Sequence, residues 1–394
     1  MQETSYFAGW LIDGTGTPAQ RDILIRMENG LILSLERANP AELKGLGFAV
    51  ETYPTCTILP GLIDCHVHLS MSGKIDHKLR FRQLLYEFAQ NSPLICERVE
   101  KSLRFGIVAL RDGGDIGGHT LTYIRQNCPS RVRVKCAGKG WRAPGRYGKI
   151  IGRSPRNGST LAESIKANRD VIDHIKIINS GMNSLNEFGR ETTPQFNRDE
   201  LDAAFRDARN LGRKTMVHAN GKLPVQCAVE AGCDSIEHGF FMGEDNMKRM
   251  ADRQVFWVPT AFTMKAMRAH LPAGSVQEAA ASRMLEAQLE QMGRARKLGV
   301  RLAAGTDAGS FGVRHGAALA EELKLMIEAG FSVEEAIGCA TSGGARLLGL
   351  DHELGRLGRG MPANFIIVDG PPSGLPDSLG EVKVVCVKGE KIAF

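Results

Sequence analysis

The stretch Leu59–His68 reads Leu-Pro-Gly-Leu-Ile-Asp-Cys-His-Val-His. It is a mostly apolar run with two histidines at its end. Their spacing of two places both imidazoles on one face if the segment is a β-strand. A lone pair of this kind is a weak signal, because a single histidine in an apolar strand is more often a core residue. The rest of the chain therefore has to show whether these histidines belong to a site.

Further polar side chains follow later apolar runs in the same way. His218, His238 and Asp307 each stand just after a short run of this type. If the strands are parallel and form a barrel, their carboxyl ends meet at one mouth, where active sites form. Imidazoles and a carboxylate that converge there suit a divalent transition metal such as zinc. Four of the ten histidines occupy these positions, which favours a metal site over isolated core histidines.

The middle of the chain alternates short apolar runs with amphipathic helical stretches. This pattern predicts an α/β fold, a (β/α)8 TIM barrel with a metal centre at its C-terminal mouth. A doubly wound sheet is the alternative. Capping boxes at Thr160–Glu163 and Ser332–Glu335 predict two helix starts. The predicted strands lie at 57–62, 107–110, 132–136, 175–178, 215–217, 235–236, 255–258 and 302–304.

Both chain ends are rich in β-forming residues and differ from the alternating middle. Ile23–Arg26 and Leu31–Ser34 flank an Asn-Gly turn and predict a hairpin. Phe365–Val368 and Val382–Val387 are similar runs near the other end. We therefore predict one small composite β-sandwich domain from residues 1–55 and 357–394, with the barrel at 56–356 inserted between its two parts.

Composition excludes several classes of protein. The 394 residues are 43% hydrophobic and 24% charged, values typical of a soluble globular chain. A net charge of +6 without a basic cluster predicts no nucleic-acid partner, and no apolar run is long enough to predict a membrane span. The start of the chain does not read as a signal peptide, and the nine cysteines form no CxxC pair, so we expect a cytoplasmic protein with reduced thiols. A small-molecule substrate is the expected partner, and a homo-oligomer is left open.

Lys176 stands inside the apolar run His174–Ile178. A lysine in a buried strand is costly unless it is paired or neutral, and a desolvated lysine loses its proton readily. A neutral amine can react with CO2 to form a carbamate, which is an anionic group able to bridge two metals. The alternative is a lysine whose amine extends from the strand end to solvent. With the other candidate ligands present, the carboxylated form is the preferred hypothesis.

Together these motifs resemble the amidohydrolase superfamily. Within this superfamily, the sequence around Lys176 is most similar to that of the imidazolonepropionase-like branch, which includes Xaa-Pro dipeptidases and arginine carboxypeptidases. Leu11–Gly16, Ala340–Gly349 and Gly358–Asn364 also look like segments of the family, so the similarity covers nearly the whole chain. The motifs that carry it are Leu59–His68, Ile175-Lys176-Ile177, Val217-His218-Ala219-Asn220-Gly221, Ile236-Glu237-His238-Gly239 and Gly305-Thr306-Asp307-Ala308-Gly309.

The resemblance implies two divalent metal ions, most readily zinc, with manganese or iron as alternatives. His66, His68, Lys176 and Asp307 would hold the first ion, and carboxylated Lys176, His218 and His238 the second. It further implies a metal-activated bridging hydroxide that hydrolyses a carbon–nitrogen bond, with Asp307 and His238 as catalytic residues. A dipeptide, an N-acyl amino acid or a cyclic amide is the expected type of substrate.

Departures from the branch leave the substrate open. Asn220 replaces the second histidine of the usual His-Ala-His-Gly pattern, and 140–148 replaces a Gly-Gly-His-Gly turn. In this loop Arg142 and Arg146 are predicted to clamp a substrate carboxylate. Trp141 and Tyr147 are predicted to line an apolar pocket, and Asn220 to hydrogen-bond the substrate.

Two other functions remain open from the sequence. A deaminase with one metal, acting on a small heterocycle, usually carries His-x-x-Glu after strand five, whereas Gly221 stands at the glutamate position here. A non-catalytic scaffold on the same fold would be expected to have lost metal ligands, and the chain keeps all six candidates.

Overall fold

A computed structural model describes residues 3–45, 48–126, 131–168 and 170–394. Seventeen strands are present in these residues. They are β1 (Glu3–Leu11), β2 (Gln20–Glu28), β3 (Leu31–Arg37), β4 (Val50–Pro60), β5 (Leu62–Val67), β6 (Ile107–Asp112), β7 (Arg133–Cys136), β8 (Gly140–Trp141), β9 (Gly152–Arg153), β10 (His174–Ile178), β11 (Lys214–Ala219), β12 (Ser235–His238), β13 (Phe256–Val258), β14 (Arg301–Leu302), β15 (Phe365–Asp369), β16 (Val382–Val387) and β17 (Glu390–Lys391).

Twelve α-helices are described, most of them between the strands of the middle region. They are α1 (His77–Leu84), α2 (Phe88–Arg104), α3 (His119–Arg125), α4 (Leu161–Lys166), α5 (Arg198–Asn210), α6 (Lys222–Glu230), α7 (Glu244–Asp252), α8 (Phe262–Arg268), α9 (Val276–Lys297), α10 (Ala318–Glu328), α11 (Val333–Gly338) and α12 (Gly344–Leu348). None of the helices in the described ranges combines the length and the apolar character that crossing a membrane requires.

Strands from both chain ends form one hydrogen-bonded sheet of seven strands, in the order β17-β16-β15-β4-β1-β2-β3. The antiparallel pair of β4 and β15, with Ile58 opposite Ile367, joins the two ends. The predicted hairpin is confirmed as β2 and β3, and its turn residues Asn29 and Gly30 have φ values of 51° and 79°. Positive φ at both turn positions matches the right-handed twist of the paired strands. β4 runs across the predicted boundary at 55/56, and the sandwich arrangement stays a prediction.

The middle of the chain forms two parallel ladders. One has the order β14-β13-β12-β11-β10-β8-β9 and the other β5-β6-β7. Seven of the eight predicted runs overlap strands of these ladders, whereas 57–62 lies mainly in β4 of the seven-stranded sheet and reaches the ladders only at Leu62, where β5 begins. Backbone hydrogen bonds link the ladders, from Cys65 N to Ala304 O at 2.9 Å and from Asp173 N to Cys136 O at 2.9 Å. Within the described residues the ladders do not close into one continuous ring. The structure therefore shows a parallel α/β architecture, and the closed barrel stays a prediction.

Local sequence signals explain where several helices begin. The predicted capping boxes at Thr160 and Ser332 are confirmed at the starts of α4 and α11. A third box, at Asn197, begins α5, whose buried positions Leu201, Ala204, Phe205 and Ala208 repeat at helical spacing. This apolar stripe packs α5 against the parallel strands, which leaves the strand ends free to carry the site. The eight described cysteines are all free of disulfides.

Candidate metal centre

Four imidazoles form a row across the carboxyl ends of the parallel strands. His66 and His68 come from β5 and the residue after it, His218 from β11, and His238 from the end of β12. Ring centroids are 5.5 Å apart for His68 and His66, 5.0 Å for His66 and His238, and 4.6 Å for His238 and His218. Residues far apart in the chain therefore meet in one buried cluster.

Asp307, in the loop after β14, approaches one end of this row. Its Oδ1 lies 3.4 Å from His68 Nε2 and 3.6 Å from His66 Nε2. Potential ligand atoms of these three residues all lie within 4.8 Å of one another. Two imidazole nitrogens and a carboxylate oxygen at this spacing form a group that could hold a divalent metal ion.

Hydrogen bonds fix which nitrogen of each ring faces the centre. Nδ1 of His66 bonds Glu237 Oε2 at 2.8 Å, Nδ1 of His68 bonds Gly114 O at 2.9 Å, and Nδ1 of His238 bonds Thr260 Oγ1 at 2.7 Å. Metal-binding histidines usually engage their second nitrogen in this way. His218 has the opposite arrangement, with Nε2 3.2 Å from Gly181 O, which leaves its Nδ1 available.

The residues present fit a bound cation. His66 Nε2 is buried and has no hydrogen-bond partner within the described ranges. Leaving such an atom unpaired costs about 1–3 kcal/mol, so a ligand at this position is favoured. Burial lowers the pKa of His66 and His238 well below the ordinary value and that of His218 to about 3. These rings are therefore neutral at physiological pH, which is the form that binds metals.

Lys176 lies beside the histidines and is only 1% exposed. No hydrogen bond or ion pair to its amine is found in the part of the chain described here. Burial lowers the pKa of Lys176 to about 8, although the carboxylates of Glu237 and Asp307 oppose this shift. A Cβ at Gly140 would lie 3.2 Å from Lys176 Cγ, so glycine at this point leaves room for the lysine side chain. The buried amine is thus close to its neutral, reactive form.

Asp307 is held in an orientation that separates its two oxygens. Ser310 Oγ donates to Oδ2 at 2.8 Å, while Oδ1 faces the histidines. Burial raises the pKa of Asp307, and the nearby His68 opposes the shift. Asp307 and His238 have φ values of 57° and 69°, a backbone region that non-glycine residues seldom adopt. Strain of this kind concentrates at functional sites.

Sequence reasoning missed the buried residues beneath the histidines. Glu237 bonds both His66 and Arg111, and Asp112 accepts from the backbone N–H groups of Leu69 and Gly114. A signal was present, since Glu237 stands in an otherwise buried strand next to His238. The cost of burying an unpaired charge, which singled out Lys176, applies equally to this glutamate.

The structure places both predicted carboxylate-binding arginines in contact with the backbone. Arg142 donates from Nε to Gly152 O at 3.2 Å and from Nη1 to Ala143 O at 3.1 Å. Arg146 donates from Nη2 to Thr193 O at 2.8 Å. Part of each guanidinium is therefore occupied by these loops, and the substrate clamp stays a prediction.

The other three predicted substrate residues have different surroundings. Trp141 is buried, and the Arg153 guanidinium lies 4.5 Å from the centroid of its ring. Its neighbour Gly140 faces Lys176, so Trp141 lies on the opposite face of the strand. Asn220 accepts from Phe240 N through Oδ1, so this oxygen is engaged within the protein. Tyr147 is the one of the three whose ring neighbours a candidate ligand, and this ring lies 5.5 Å from that of His218.

Arg80 in α1 is a further guanidinium near the centre that the sequence did not single out. Its Nη1 donates to Gly309 O at 2.9 Å, two residues beyond Asp307. Burial lowers the pKa of Arg80, and the Asp307 carboxylate opposes that shift. Arg80 therefore links α1 to the loop that carries Asp307.

Comparison with known proteins gives a consistent result across most of the chain. Residues 57–392 match the model of the Amidohydrolase family. Ochratoxinase of Aspergillus niger is 24% identical over 403 aligned residues, which cover 94% of this chain and 82% of the relative. The crystal structure of a Xaa-Pro dipeptidase with bound methionine superposes with a TM-score of 0.81 at 25% identity and covers 100% of both chains. The crystal structure of A. niger ochratoxinase gives a TM-score of 0.80 at 20% identity, covering 99% of this chain and 95% of that one.

Proposed function

Since the chain belongs to the amidohydrolase family and is a hydrolase acting on carbon–nitrogen bonds, we propose that it cleaves the amide bond of a small molecule at the cluster of His66, His68, His218, His238 and Asp307. One observation supports the placement of this reaction at the cluster. Nε2 of His66 is buried, has no hydrogen-bond partner among the described residues, and lies 3.6 Å from the Asp307 carboxylate, with His68 Nε2 at 3.4 Å from the same oxygen.

The side chains of the cluster have distinct roles in the proposal. A divalent metal bound here would act as a Lewis acid and would lower the pKa of a water molecule toward 7. His66, His68, His218 and His238 would supply the nitrogen lone pairs that hold it. Asp307 takes the proton of the attacking water and delivers it to the leaving nitrogen, and Ser310 keeps the carboxylate oriented for that transfer.

We further propose two metal ions, most readily zinc, joined by carboxylated Lys176. The Lys176 amine is buried without a partner in the described ranges, and its pKa is lowered to about 8; both support this, because CO2 reacts with a neutral amine. The amine nitrogen forms the bond to carbon and releases one proton, which leaves an anionic group among the imidazoles. His218, whose Nδ1 is available, and His238 would then form the second half of the centre.

The expected substrate is a dipeptide, an N-acyl amino acid or a cyclic amide. The names of the relatives, an ochratoxinase and a Xaa-Pro dipeptidase, support this range. Tyr147 is proposed to contact the substrate directly, because its ring lies beside His218 and its hydroxyl has no protein partner within the described residues. Arg142 and Arg146 remain proposed contacts of a substrate carboxylate, Trp141 a proposed wall of an apolar pocket, and Asn220 a proposed hydrogen-bond partner of the substrate.

A closed (β/α)8 barrel remains the proposed architecture for residues 56–356, with residues 1–55 and 357–394 as a composite β-sandwich. The backbone hydrogen bonds from Cys65 to Ala304 and from Asp307 N to His66 O support closure beside the metal centre. A cytoplasmic protein that acts on a small molecule, without nucleic acid or membrane as partner, is part of the same proposal.

The proposed function can be tested with metal analysis and a substrate panel. We expect two metal ions per chain by elemental analysis, and amide hydrolysis within a panel of Xaa-Pro dipeptides, N-acyl amino acids, cyclic amides and ochratoxin. One metal per chain together with ammonia release from heterocyclic amines would instead support a deaminase. Full hydrolysis by the metal-stripped protein would contradict the proposed site.

A further inference from the structure

We propose that Glu237 and Arg111 are positioning residues for His66, and that they fix its ring so that Nε2 remains the free nitrogen at the metal centre. The inference rests on the proposed function, because it takes His66 as a metal ligand. Neither residue is among the candidate ligands, and both lie in the interior below the row of imidazoles.

The contact between Glu237 and His66 determines the state of the ring. Glu237 Oε2 lies 2.8 Å from His66 Nδ1, and both side chains are essentially inaccessible to solvent. A carboxylate only accepts hydrogen bonds, so the proton of the neutral imidazole must be on Nδ1. Nε2 then carries the lone pair, and it is this atom that is buried without a protein partner in the described residues.

Arg111 and Ser235 hold the Glu237 carboxylate in place. Arg111 Nη2 donates to Glu237 Oε1 at 2.7 Å, and Ser235 Oγ donates to the same oxygen at 2.5 Å. Because Oε1 receives both of these bonds, the carboxylate cannot rotate without breaking them. Oε2 is therefore reserved for His66.

The same guanidinium also fixes the backbone next to His66. Arg111 Nε donates to the carbonyl of Cys65 at 2.7 Å, and its Nη1 donates to Ser235 Oγ at 3.0 Å. Arg111 thus touches the chain directly before His66 and, through Glu237, the ring itself. The planar fork of arginine can make these bonds in fixed directions, which the single ammonium of lysine cannot.

The arrangement also connects the two halves of the candidate centre. Glu237 directly precedes His238, whose ring lies 5.0 Å from that of His66. A shift of the carboxylate would therefore disturb one ring through a hydrogen bond and the other through the backbone. A buried ion pair with a purely stabilising role would change the melting temperature when broken but would leave the choice of ring nitrogen unaffected.

Glu237→Gln is the direct test. The glutamine amide has one oxygen and one NH2 group and can therefore take two orientations. Its oxygen accepts from His66 while its NH2 group faces Arg111 and Ser235, or its oxygen accepts from Arg111 and Ser235 while its NH2 group faces His66. Either the bonds to the donors are lost, or the NH2 group meets Nδ1 and favours the tautomer with the proton on Nε2. We expect the chelator-stripped full-length variant to bind Zn²⁺ about 10- to 100-fold more weakly than the wild type, measured by competition with a chromophoric chelator.

Asp234→Asn is the matched control, since this carboxylate lies just before the same strand. Asp234 accepts from Thr215 N and Thr215 Oγ1 and touches no candidate ligand. Its conversion to an amide should leave Zn²⁺ affinity unchanged even if the protein melts earlier. Arg111→Lys should bind Zn²⁺ more weakly than the wild type but more tightly than Arg111→Met, because lysine keeps the charge and loses the fork.

The tautomer can be observed without any variant. A long-range ¹H–¹⁵N spectrum of the metal-free wild type should show His66 protonated at Nδ1. Protonation at Nε2, or a folded Glu237→Gln protein with wild-type Zn²⁺ affinity, would overturn the inference. If Glu237→Gln does not fold, the wild-type spectrum and the Zn²⁺ affinities of Arg111→Lys and Arg111→Met test the inference instead. A wild type that binds no Zn²⁺ would contradict the proposed function, whereas the tautomer would still test the positioning role.

Discussion

At the scale of single residues, the chemistry depends on which atom of each side chain is left free. His66, His68 and His238 are bonded through Nδ1, and His218 is bonded through Nε2. Burial keeps His66, His218 and His238 neutral and also moves the pKa of Lys176 down to about 8. The site is therefore prepared for a cation by desolvation and by hydrogen bonds, since neither the spacing nor the identity of the residues alone would select the free nitrogen.

Asp307→Asn tests the proposed proton transfer. The amide keeps an oxygen that can face His66 and His68 but cannot accept the proton of water. We expect kcat for the best substrate of the panel to fall by roughly 10²- to 10⁴-fold while metal remains bound, measured by steady-state kinetics and elemental analysis. Ser310→Ala, which removes the bond to Oδ2, should have a much smaller effect. Near-normal turnover by Asp307→Asn would contradict this role.

At the scale of elements, loops and helix ends connect the parallel strands to the site. Arg80 of α1 contacts the loop after β14 at Gly309, and Thr260, which bonds His238, directly precedes the turn into α8. Glu322 of α10 accepts from the backbone N–H groups of Ala261 at 3.0 Å and Phe262 at 2.8 Å. A buried carboxyl group therefore holds the start of α8 in place beside the metal centre.

Glu322 should make the stability of the protein depend on pH. Burial raises its pKa from 4.5 to about 8, against the effect of the two N–H donors. Because the folded pKa is above the unfolded value, the native state holds an extra proton between pH 4.5 and 8. The contribution of this extra proton to the free energy of unfolding is fully present below pH 4.5 and is lost as pH rises toward 8. The free energy of unfolding then falls by at most about 1.4 kcal/mol per pH unit.

Glu322→Gln provides the comparison, because glutamine has no proton to release. Denaturant unfolding between pH 5 and 8 should show the wild type losing stability relative to the variant as pH rises. A wild type that instead gains stability relative to the variant would show that the N–H groups of Ala261 and Phe262 keep the carboxylate charged.

At the scale of the whole molecule, the candidate centre joins parts of the chain that belong to different ladders. His66 lies in β5 and His68 directly after it, in the ladder of β5, β6 and β7, whereas His218 and His238 belong to the ladder that contains β10 to β14. The seven-stranded sheet is connected to the first of these ladders, because β4 ends at Pro60 and β5 begins at Leu62. A bound metal would therefore stabilise the contact between both ladders as well as supply chemistry.

Metal removal should lower the melting temperature. A ligand that binds only the folded state adds about 4 kcal/mol of stability at a free concentration 1,000 times its dissociation constant. We expect Zn²⁺ to raise the Tm of the stripped wild type in calorimetry, and to leave that of a His66→Ala, His68→Ala double variant nearly unchanged. Equal shifts for both proteins would place the stabilising ion elsewhere.

The sequence by itself determined the features that depend on local pattern and residue type. Short apolar runs predicted the strands, the motifs Thr160–Glu163 and Ser332–Glu335 predicted the capping boxes, and the ends of the runs marked His66, His218 and Asp307. The resemblance to amidohydrolases could be stated from the same residues. These features can be predicted without a structure because each of them depends on a few neighbouring positions in the sequence.

Only the tertiary structure decided which atoms meet. Glu237 and His66 are 171 positions apart, and no local pattern indicates that one fixes the tautomer of the other. Likewise, the sequence predicted that Arg142 clamps a substrate carboxylate, whereas in the fold its guanidinium donates to the backbone carbonyls of Gly152 and Ala143. The physical reason is that a hydrogen bond acts over about 3 Å, so its partners are set by how distant segments pack.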